Sequence, residues 1–232
     1  MATRVDIWDQ RADRNEFHAV LTERWSSTQC AEVDRLQRLA LAAAMPPLLG
    51  RRVMDLGCGI GRITGWLARG APTHSDAREA VQEPNVPAVV VGVDRSVGML
   101  NRAAQDIRAP GIILVQAPAK CLPFPDHSFD VIVTVAVLQH LVAMAEFERA
   151  CNEIVRVLRP GGVLVCIEGG SDPMPTFRNP GGGQTVTIPR GVADFATALG
   201  PRMRPGDACP LICIQDEYLL TTWTLTREEG TL

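Results

Sequence analysis

The chain has 232 residues, of which 46% are hydrophobic and 21% charged, and its net charge is −3 at pH 7. This composition is typical of a globular domain and excludes a largely disordered chain. No uninterrupted apolar run reaches the roughly 20 residues that a membrane-spanning helix needs. The slightly acidic balance provides no basic stripe for a nucleic-acid backbone, so a small or neutral substrate is favoured.

The N-terminus and the cysteines indicate the expected location of the protein. The first residues, Met1 to Asp6, lack the apolar core of a secretory signal, so we expect a cytoplasmic protein. The seven cysteines include no Cys-x-x-Cys pair. We therefore expect them to be reduced, and we predict no metal site.

The regular elements are predicted in chain order from apolar runs and helical spacing. A helix over roughly 16–45 is ended by Pro46 and Pro47. After it, apolar and amphipathic stretches alternate. The predicted strands are 52–56, 88–93, 111–116, 129–135 and 161–168, and the predicted helices are 60–69, 96–108 and 144–158. Strands such as VVVGV at 89–93 have no polar face, as a parallel sheet covered on both sides requires. The pattern predicts a single doubly wound, Rossmann-like α/β domain.

Two segments interrupt this alternation. Residues 71–87 form a polar insertion with three prolines, which we interpret as a surface excursion. Residues 169–190 are rich in glycine and proline, and they fit equally well a surface loop or a cover over a ligand. After a helix near 191–199, the stretches 210–214 and 219–225 are predicted to form an antiparallel pair at one edge of the sheet.

A glycine-rich turn follows the first predicted strand, in the sequence DLGCGIGR at 55–62. A strand that enters such a turn and leaves as a helix presents bare backbone amides at the sheet edge where α/β proteins bind nucleotides. The spacing of Gly57, Gly59 and Gly61 differs from the dinucleotide fingerprint, whose last two glycines are three apart. Asp55, directly before the turn, would repel a pyrophosphate but suits a ligand that carries an ammonium or a sulfonium group.

An acid also ends the second predicted strand. Asp94 is placed to accept hydrogen bonds from both hydroxyls of a ribose. Ser96 can cap the following helix, which leaves Asp94 available for a ligand. Together, Asp55 and Asp94 indicate an adenosine-like ligand without a pyrophosphate.

Four motifs in order resemble those of class I S-adenosylmethionine-dependent methyltransferases, in particular the branch with quinone-biosynthesis and other small-molecule enzymes. They are DLGCGIGR at 55–62, GVDRS at 92–96, LPFPDHSFDVI at 122–132 and EIVRVLRPGG at 153–162. The resemblance covers roughly residues 50–168. It is specific for the fold and the cofactor, but not for the substrate.

The resemblance implies a set of residues around S-adenosylmethionine. The glycine turn would pass along its methionine and ribose parts, Asp55 would lie near its ammonium group, and Asp94 would hold the ribose. The family usually has an acid for the adenine amino group where this chain has Pro118, so we expect weaker or backbone-mediated recognition there. The residues assigned to the cofactor are Trp8, Asp55, Gly57, Cys58, Gly59, Gly61, Arg62, Asp94, Arg95, Met99, Ala119, Val135 and Gln139.

Two residues are candidates for the chemistry itself. His140, just beyond the fourth strand, often has a counterpart in the family that faces the acceptor, and a histidine can take a proton near neutral pH. The alternative is a structural histidine bonded to a loop carbonyl. Glu168, at the end of the fifth strand, points toward the cleft by topology, although it could equally be a salt-bridged or solvated strand end. Gln139 could orient the cofactor or cap the turn.

The N-terminal segment 1–47 is predicted to be a helical lid over a methyltransferase core at 48–232. In related enzymes such a segment covers the cofactor, and Trp8 would supply an aromatic cover for the sulfonium. Helix packing competes with this role, more strongly for Trp25 than for Trp8. A homodimer is compatible with the sequence.

Three alternatives remain open at this stage. Stretches around His140 and Arg156 also resemble wobble-uridine tRNA methyltransferases, although the acidic balance argues against them. A nicotinamide oxidoreductase is disfavoured by the glycine spacing. A cofactor-binding module without turnover is left open by Pro118.

Overall fold

A computed structural model describes residues 7–14, 17–21, 25–71, 85–169, 188, 192–205, 209–214 and 218–228. Within these residues the strands form one mixed sheet. They are β1 Arg52–Leu56, β2 Val89–Asp94, β3 Ile112–Gln116, β4 Phe129–Val135, β5 Leu158–Gly169, β6 Met203–Pro205, β7 Cys209–Ile214 and β8 Tyr218–Arg227. The helices are α1 Ile7–Arg11, α2 Ser27–Ala44, α3 Arg62–Ala68, α4 Val97–Asp106, α5 Met144–Val157 and α6 Val192–Leu199, with a 3₁₀ turn at Leu138–His140.

The strand order confirms the predicted doubly wound fold. The order is β3-β2-β1-β4-β5-β8-β6, and β7 also pairs with β8. The strands β1 to β5 are parallel to one another, whereas β8 is antiparallel to β5, β6 and β7. The chain therefore moves outward from β1 to β3, returns to β4 on the other side of β1, and ends at an antiparallel edge. In such sheets ligands bind outside the carboxyl ends of the strands at the point of reversal.

Alternating side chains of the central strands build a core on each face of the sheet. Met54 and Ile132 pack on one face with Phe147 of α5 and the other residues of that core. Val53 and Val131 pack on the opposite face, together with residues of α2 and α3. Because successive residues of a strand point to opposite faces, the apolar runs seen in the sequence fill both cores.

The structure differs from the prediction at the first long helix, which was expected over 16–45. The helix α2 begins only at Ser27, because Ser26 and Gln29 form a capping box. The Ser26 side chain accepts the Gln29 N–H at 3.3 Å, and the Gln29 side chain accepts the Ser26 N–H at 2.8 Å. A short helix, α1, precedes it and was not predicted.

The boundary between α5 and β5 also differs from the prediction. We expected Arg159 to Gly162 to separate these elements, but α5 ends at Val157 and β5 begins at Leu158.

Of the two segments that interrupt the alternation, residues 72–84 lie outside the described residues. Asn85, which follows them, is held by hydrogen bonds to the chain around the insertion. Its side chain accepts the Leu48 N–H at 2.6 Å and donates to the Ala71 carbonyl at 2.7 Å. Of 169–190, only Gly169 and Ile188 are described.

None of the helices among the described residues has the length and apolar character needed to cross a membrane.

Candidate active site

A cavity of about 480 Å³ opens at the carboxyl ends of β1 to β4. Its walls come from the turns that follow these four strands, from the first turn of α5, and from Ile7, Trp8, Val20 and Leu21 near the N-terminus. Asp55, Asp94 and His140 all line it. The cavity is within the size range of small-molecule and cofactor sites.

The glycine turn after β1 is shaped by the chain's own packing. Gly57 has a φ of 74°, and a Cβ added there would lie 2.3 Å from the Val137 side chain. Gly59 has a φ of 53°, and its added Cβ would lie 2.8 Å from Val20. These two glycines therefore allow the 3₁₀ turn and the N-terminal segment to close against the cavity wall.

The expectation of bare amides in this turn is corrected by the hydrogen bonds. The Gly57 and Cys58 N–H groups donate to the Val93 carbonyl at 2.7 and 2.9 Å. The Gly59 N–H donates to Asp94 at 2.8 Å, and the Gly61 N–H donates to the Cys58 carbonyl at 2.9 Å. With these four amides used inside the protein, the turn is poorly suited to a pyrophosphate.

Gly61 does not line the cavity, so its assignment to the cofactor is also corrected. It is the N-cap residue of α3 with a φ of 78°. A Cβ there would lie 2.4 Å from the end of the Ile107 side chain. Its role is the close packing of α3 against the chain after α4.

Asp55 contributes a carboxylate to the cavity wall. Its side chain is 2% exposed, and its carboxylate accepts the Thr64 hydroxyl at 2.6 Å. Burial raises the pKa of Asp55 to about 6, while Thr64 and the nearby Arg62 act in the opposite direction. A cation bound beside this carboxylate would offset the cost of its burial.

Asp94 is held at the end of β2 with part of its carboxylate in the cavity. One oxygen accepts the Gly59 N–H at 2.8 Å, and the other accepts the Ser96 N–H at 2.9 Å. Burial raises the pKa of Asp94 and the two backbone donors lower it. As predicted, Ser96 caps α4 by accepting the Met99 N–H at 3.1 Å. Arg95 and Met99 line the cavity beside Asp94.

Other residues assigned to the cofactor lie around this wall. Cys58, Arg62, Ala119 and Val135 all line the cavity. The Arg62 guanidinium is fixed by an ion pair of 2.6 Å with Asp34 of α2.

Asp34 also pairs with Arg38 at 2.8 Å. Helix α2 therefore positions Arg62 at the cavity wall from the opposite side.

The N-terminal residues 7–14 and 17–21 cover one side of the cavity, and we call them the cap. Trp8 of the cap lies edge-on to His140, with ring centroids 5.0 Å apart and planes at 72°. Arg11 lies 5.4 Å from the Trp8 ring centroid and donates to the carbonyls of His18, Ala19 and Leu21.

The cap is also fastened to α4. Asp9 accepts the Ser96 hydroxyl at 2.5 Å and the Gly98 N–H at 3.0 Å. Arg102 donates to the Ala12 carbonyl at 2.9 Å. Helix α2, in contrast, packs in the core, with Cys30 and Leu41 fully buried, so among the described residues of the N-terminal segment it is the cap that lies at the cavity.

Glu168 does not face the cleft, and its interpretation as a catalytic group is corrected. It is 1% exposed and is not part of the cavity wall. Its carboxylate accepts the N–H groups of Val137, Leu138 and Gln139 at 3.0–3.1 Å. Glu168 therefore holds the 3₁₀ turn that carries His140, and it is neither solvated nor a cleft residue.

Gln139 is likewise a structural residue in this geometry. It is 5% exposed and does not line the cavity. Its side-chain oxygen accepts the Gly169 N–H at 2.9 Å, and its carbonyl accepts the Ile188 N–H at 2.8 Å. The assignment of Gln139 to the cofactor is corrected, and its position explains how the turn is tied to the end of β5.

Of the remaining histidines, His18 and His127 are not among the residues that line the cavity, and His74 lies outside the described residues. His127 is exposed in a turn, as expected, with Nδ1 at 3.0 Å from Arg227. His18 contacts the Trp25 carbonyl at 2.7 Å.

Sequence reasoning missed several cavity residues: Val20, Val137, Lys120 and Glu146. The signal for Glu146 is weak, because only the fold brings the first turn of α5 next to the loop after β3.

Part of the chain is similar to known methyltransferases. Residues 54–166 match a family model described as a methyltransferase domain. The chain is 34% identical over 149 residues to a demethylmenaquinone methyltransferase from Clavibacter sepedonicus, a match that covers 62% of the chain and 52% of that protein. It is 32% identical over 140 residues to a fatty-acid O-methyltransferase from Mycolicibacterium smegmatis, covering 58% and 45%. The matches thus span about half the length of these relatives.

Solved structures share the fold. An S-adenosylmethionine-dependent methyltransferase from Mesorhizobium loti superposes with a TM-score of 0.61 at 21% identity, covering 82% of this chain and 96% of that one. The comparisons support neither tRNA modification nor nicotinamide-dependent oxidation. Residues 54–166 thus match a methyltransferase domain, and the chain shares its fold with S-adenosylmethionine-dependent methyltransferases.

Proposed function

We propose that this protein transfers a methyl group from S-adenosylmethionine to a small-molecule acceptor. One observation carries the proposal: a single cavity joins the two acids that suit a cationic nucleoside, Asp55 and Asp94, to the Trp8–His140 pair. The names of the relatives, which act on a quinone precursor and on fatty acids, favour a small acceptor with an apolar part.

The residues present fit the cofactor. Asp94 has a carboxylate in the cavity wall with one backbone donor on each oxygen, which leaves lone pairs for ribose hydroxyls. Asp55 offers negative charge at the strand end next to it, where the ammonium group of the methionine part would lie. S-adenosylmethionine supplies a methyl carbon bonded to a cationic sulfur, so the protein mainly has to align an acceptor and exclude water.

Other residues of the cavity wall provide these two functions. Ile7, Leu21, Val137 and Leu141 line it with apolar side chains, which keep water away from the reacting groups. The Trp8 ring is placed to cover a cation. His140, held edge-on to Trp8, is the group that would accept the proton of a hydroxyl or carbon acid as the new bond forms.

The cap is proposed to act as the lid. Its contacts to α4 through Asp9 and Arg102 connect it to the helix that follows the ribose-binding acid. Closure of the cap and occupation of the Asp94 end would then favour each other.

The cytoplasmic location, a homodimer and the exclusion of nucleic acid remain predictions from the sequence. A mobility-shift titration with bulk tRNA over a salt series measures the last of these. We expect no retention at physiological salt.

The assay for the proposal follows radiolabelled methyl from S-adenosylmethionine into quinols, phenols and fatty acids. His140→Ala is expected to lower kcat about 10²- to 10⁴-fold while leaving cofactor affinity nearly unchanged. His127→Ala, which removes an exposed histidine in a turn, is the matched control and should keep full activity. Equal turnover in the His140 variant would assign that residue to structure alone, and absence of transfer to every acceptor would argue against a small-molecule methyltransferase.

A further inference from the structure

The loop after β3 and the first turn of α5 meet at one end of the cavity. Ala117, Pro118 and Ala119 line this end with apolar groups, and Lys120 and Glu146 line it with an ion pair. The side chains of Lys120 and Glu146 are 40% and 36% exposed. An exposed ion pair of this kind contributes little to the stability of the fold.

The strand order indicates which part of the cofactor reaches this end. The methionine part is assigned to the turn after β1 and the ribose to Asp94 at the end of β2. The next strand in the sheet is β3, with Gln116 opposite Asp94 in register. The Ala117 N–H donates to the Asp94 carbonyl at 3.0 Å, so the loop after β3 begins directly beside the ribose position. A base attached to that ribose lies against Ala117 to Lys120.

The adenine base carries an exocyclic amino group that needs a hydrogen-bond acceptor once it leaves water. Ala117, Pro118 and Ala119 have no side-chain acceptor. Of the described charged residues that line this end, Arg95 and Lys120 are cations and cannot accept. Glu146 is the carboxylate among them.

Helix α5 holds Glu146 in place against this loop. Glu153, seven residues later and so on the same helix face, accepts the Leu122 N–H at 2.6 Å. Arg156 donates to the Leu122 carbonyl at 3.0 Å. Glu146 therefore continues a row of contacts between α5 and the loop.

The charge of Glu146 suits an acceptor. Its hydrogen bond and ion pair with Lys120 lower the pKa of the carboxyl group, so it is ionised at neutral pH. The first turn of α5 stabilises a negative charge in the same way.

We propose that Glu146, positioned by Lys120, accepts the hydrogen bond of the adenine amino group and selects adenine over a base with an oxo group at that position. This inference rests on the proposed function, because it assigns a part of the same cofactor site. Glu146 would then replace the acid that the family usually has in the loop after β3, where this chain has Pro118.

The test compares two ligands by calorimetry: S-adenosylhomocysteine, and S-inosylhomocysteine, in which an oxo group replaces the amino group. The wild-type protein should bind the adenosyl ligand about 10- to 100-fold more tightly, the range expected for a hydrogen bond to a charged group. In Glu146→Ala the adenosyl ligand should weaken about tenfold and the preference should fall toward one. Glu146→Gln, which keeps the shape, should reduce the preference as well.

Two control variants make the result specific. Glu148→Gln changes an exposed acid on the same helix outside the cavity wall and should keep the wild-type preference. Asp94→Ala should weaken both ligands alike, because both carry the ribose. An unchanged preference in the Glu146 variants, or equal wild-type affinity for the two ligands, would overturn this inference alone. Failure of the wild type to bind either ligand would overturn the proposed function with it.

Discussion

The ends of β2 and β5 each carry a buried acid at the same edge of the sheet, and these two acids have different roles. Asp94 ends β2 with one backbone N–H on each oxygen and lies in the cavity wall. Glu168, near the end of β5, is 1% exposed and accepts three backbone N–H groups of the turn at Val137 to Gln139. The turn that follows β4 folds over Glu168, whereas the turn that follows β2 leaves Asp94 open.

The difference shows that an acid at a strand end is not by itself a ligand site. What decides its role is whether neighbouring backbone donors use all of its acceptor capacity. Glu168 takes part in the site only indirectly, because it fixes the turn on which His140 stands. The first prediction separates these roles by their effect on stability.

Replacing Glu168 with alanine should lower the free energy of unfolding by at least about 3 kcal/mol. The change leaves three buried N–H groups without an acceptor, at roughly 1–3 kcal/mol each. Urea denaturation of the protein without ligand measures it. Glu168→Gln keeps an amide oxygen as acceptor and should lose markedly less, while a loss below 1 kcal/mol for the alanine variant would show that Glu168 does not hold the turn.

Asp55, near the end of β1, is a third acid of this kind. It is buried and also lines the cavity. Because its pKa is raised from 3.8 to about 6, the native state binds its proton more strongly than the unfolded chain does. The contribution to stability is present below pH 3.8 and is lost as the pH rises through 6. Asp55→Asn should therefore stabilise the protein without ligand at pH 7 by on the order of 2–3 kcal/mol.

The same variant should bind S-adenosylmethionine more weakly, because the charge opposite the ammonium group is gone. Wild-type affinity should also fall as the pH drops below about 6. Thermal unfolding at pH 4 and pH 7, together with titrations over this range, checks both parts. A stability gain of equal size at pH 4 would contradict the role of the charge.

Asp94→Ala gives the smallest expected effect and acts on binding. Loss of the ribose acceptor should weaken S-adenosylhomocysteine by about 1–3 kcal/mol, measured by calorimetry. Asp106→Ala, at an exposed position on α4 with 52% of its side chain accessible, is the matched control and should bind as the wild type does. Unchanged affinity in the Asp94 variant would remove that residue from the site.

Much of the fold could be predicted because local signals agree with it. The apolar runs give β1 to β5, and Ser96 is a local cap that needs no tertiary contact. The start of α2 was missed because helical spacing extends beyond the capping box of Ser26 and Gln29.

The site could be predicted only in part, since its composition depends on contacts distant in sequence. The sequence indicates Asp94 and the glycine turn, but it does not reveal that Val137 and Val20 occupy the space beside Gly57 and Gly59. The sequence also does not reveal that the turn carrying His140 donates three backbone N–H groups to Glu168.

The most direct test of the central claim is a calorimetric titration of the wild-type protein with S-adenosylhomocysteine, with NAD as the reference ligand. Asp55 and Asp94 face the cavity, and the amides of the glycine turn are used within the protein, so we predict saturable one-to-one binding of S-adenosylhomocysteine and none of NAD. Absence of S-adenosylhomocysteine binding at millimolar concentration, or tighter binding of NAD, would contradict it.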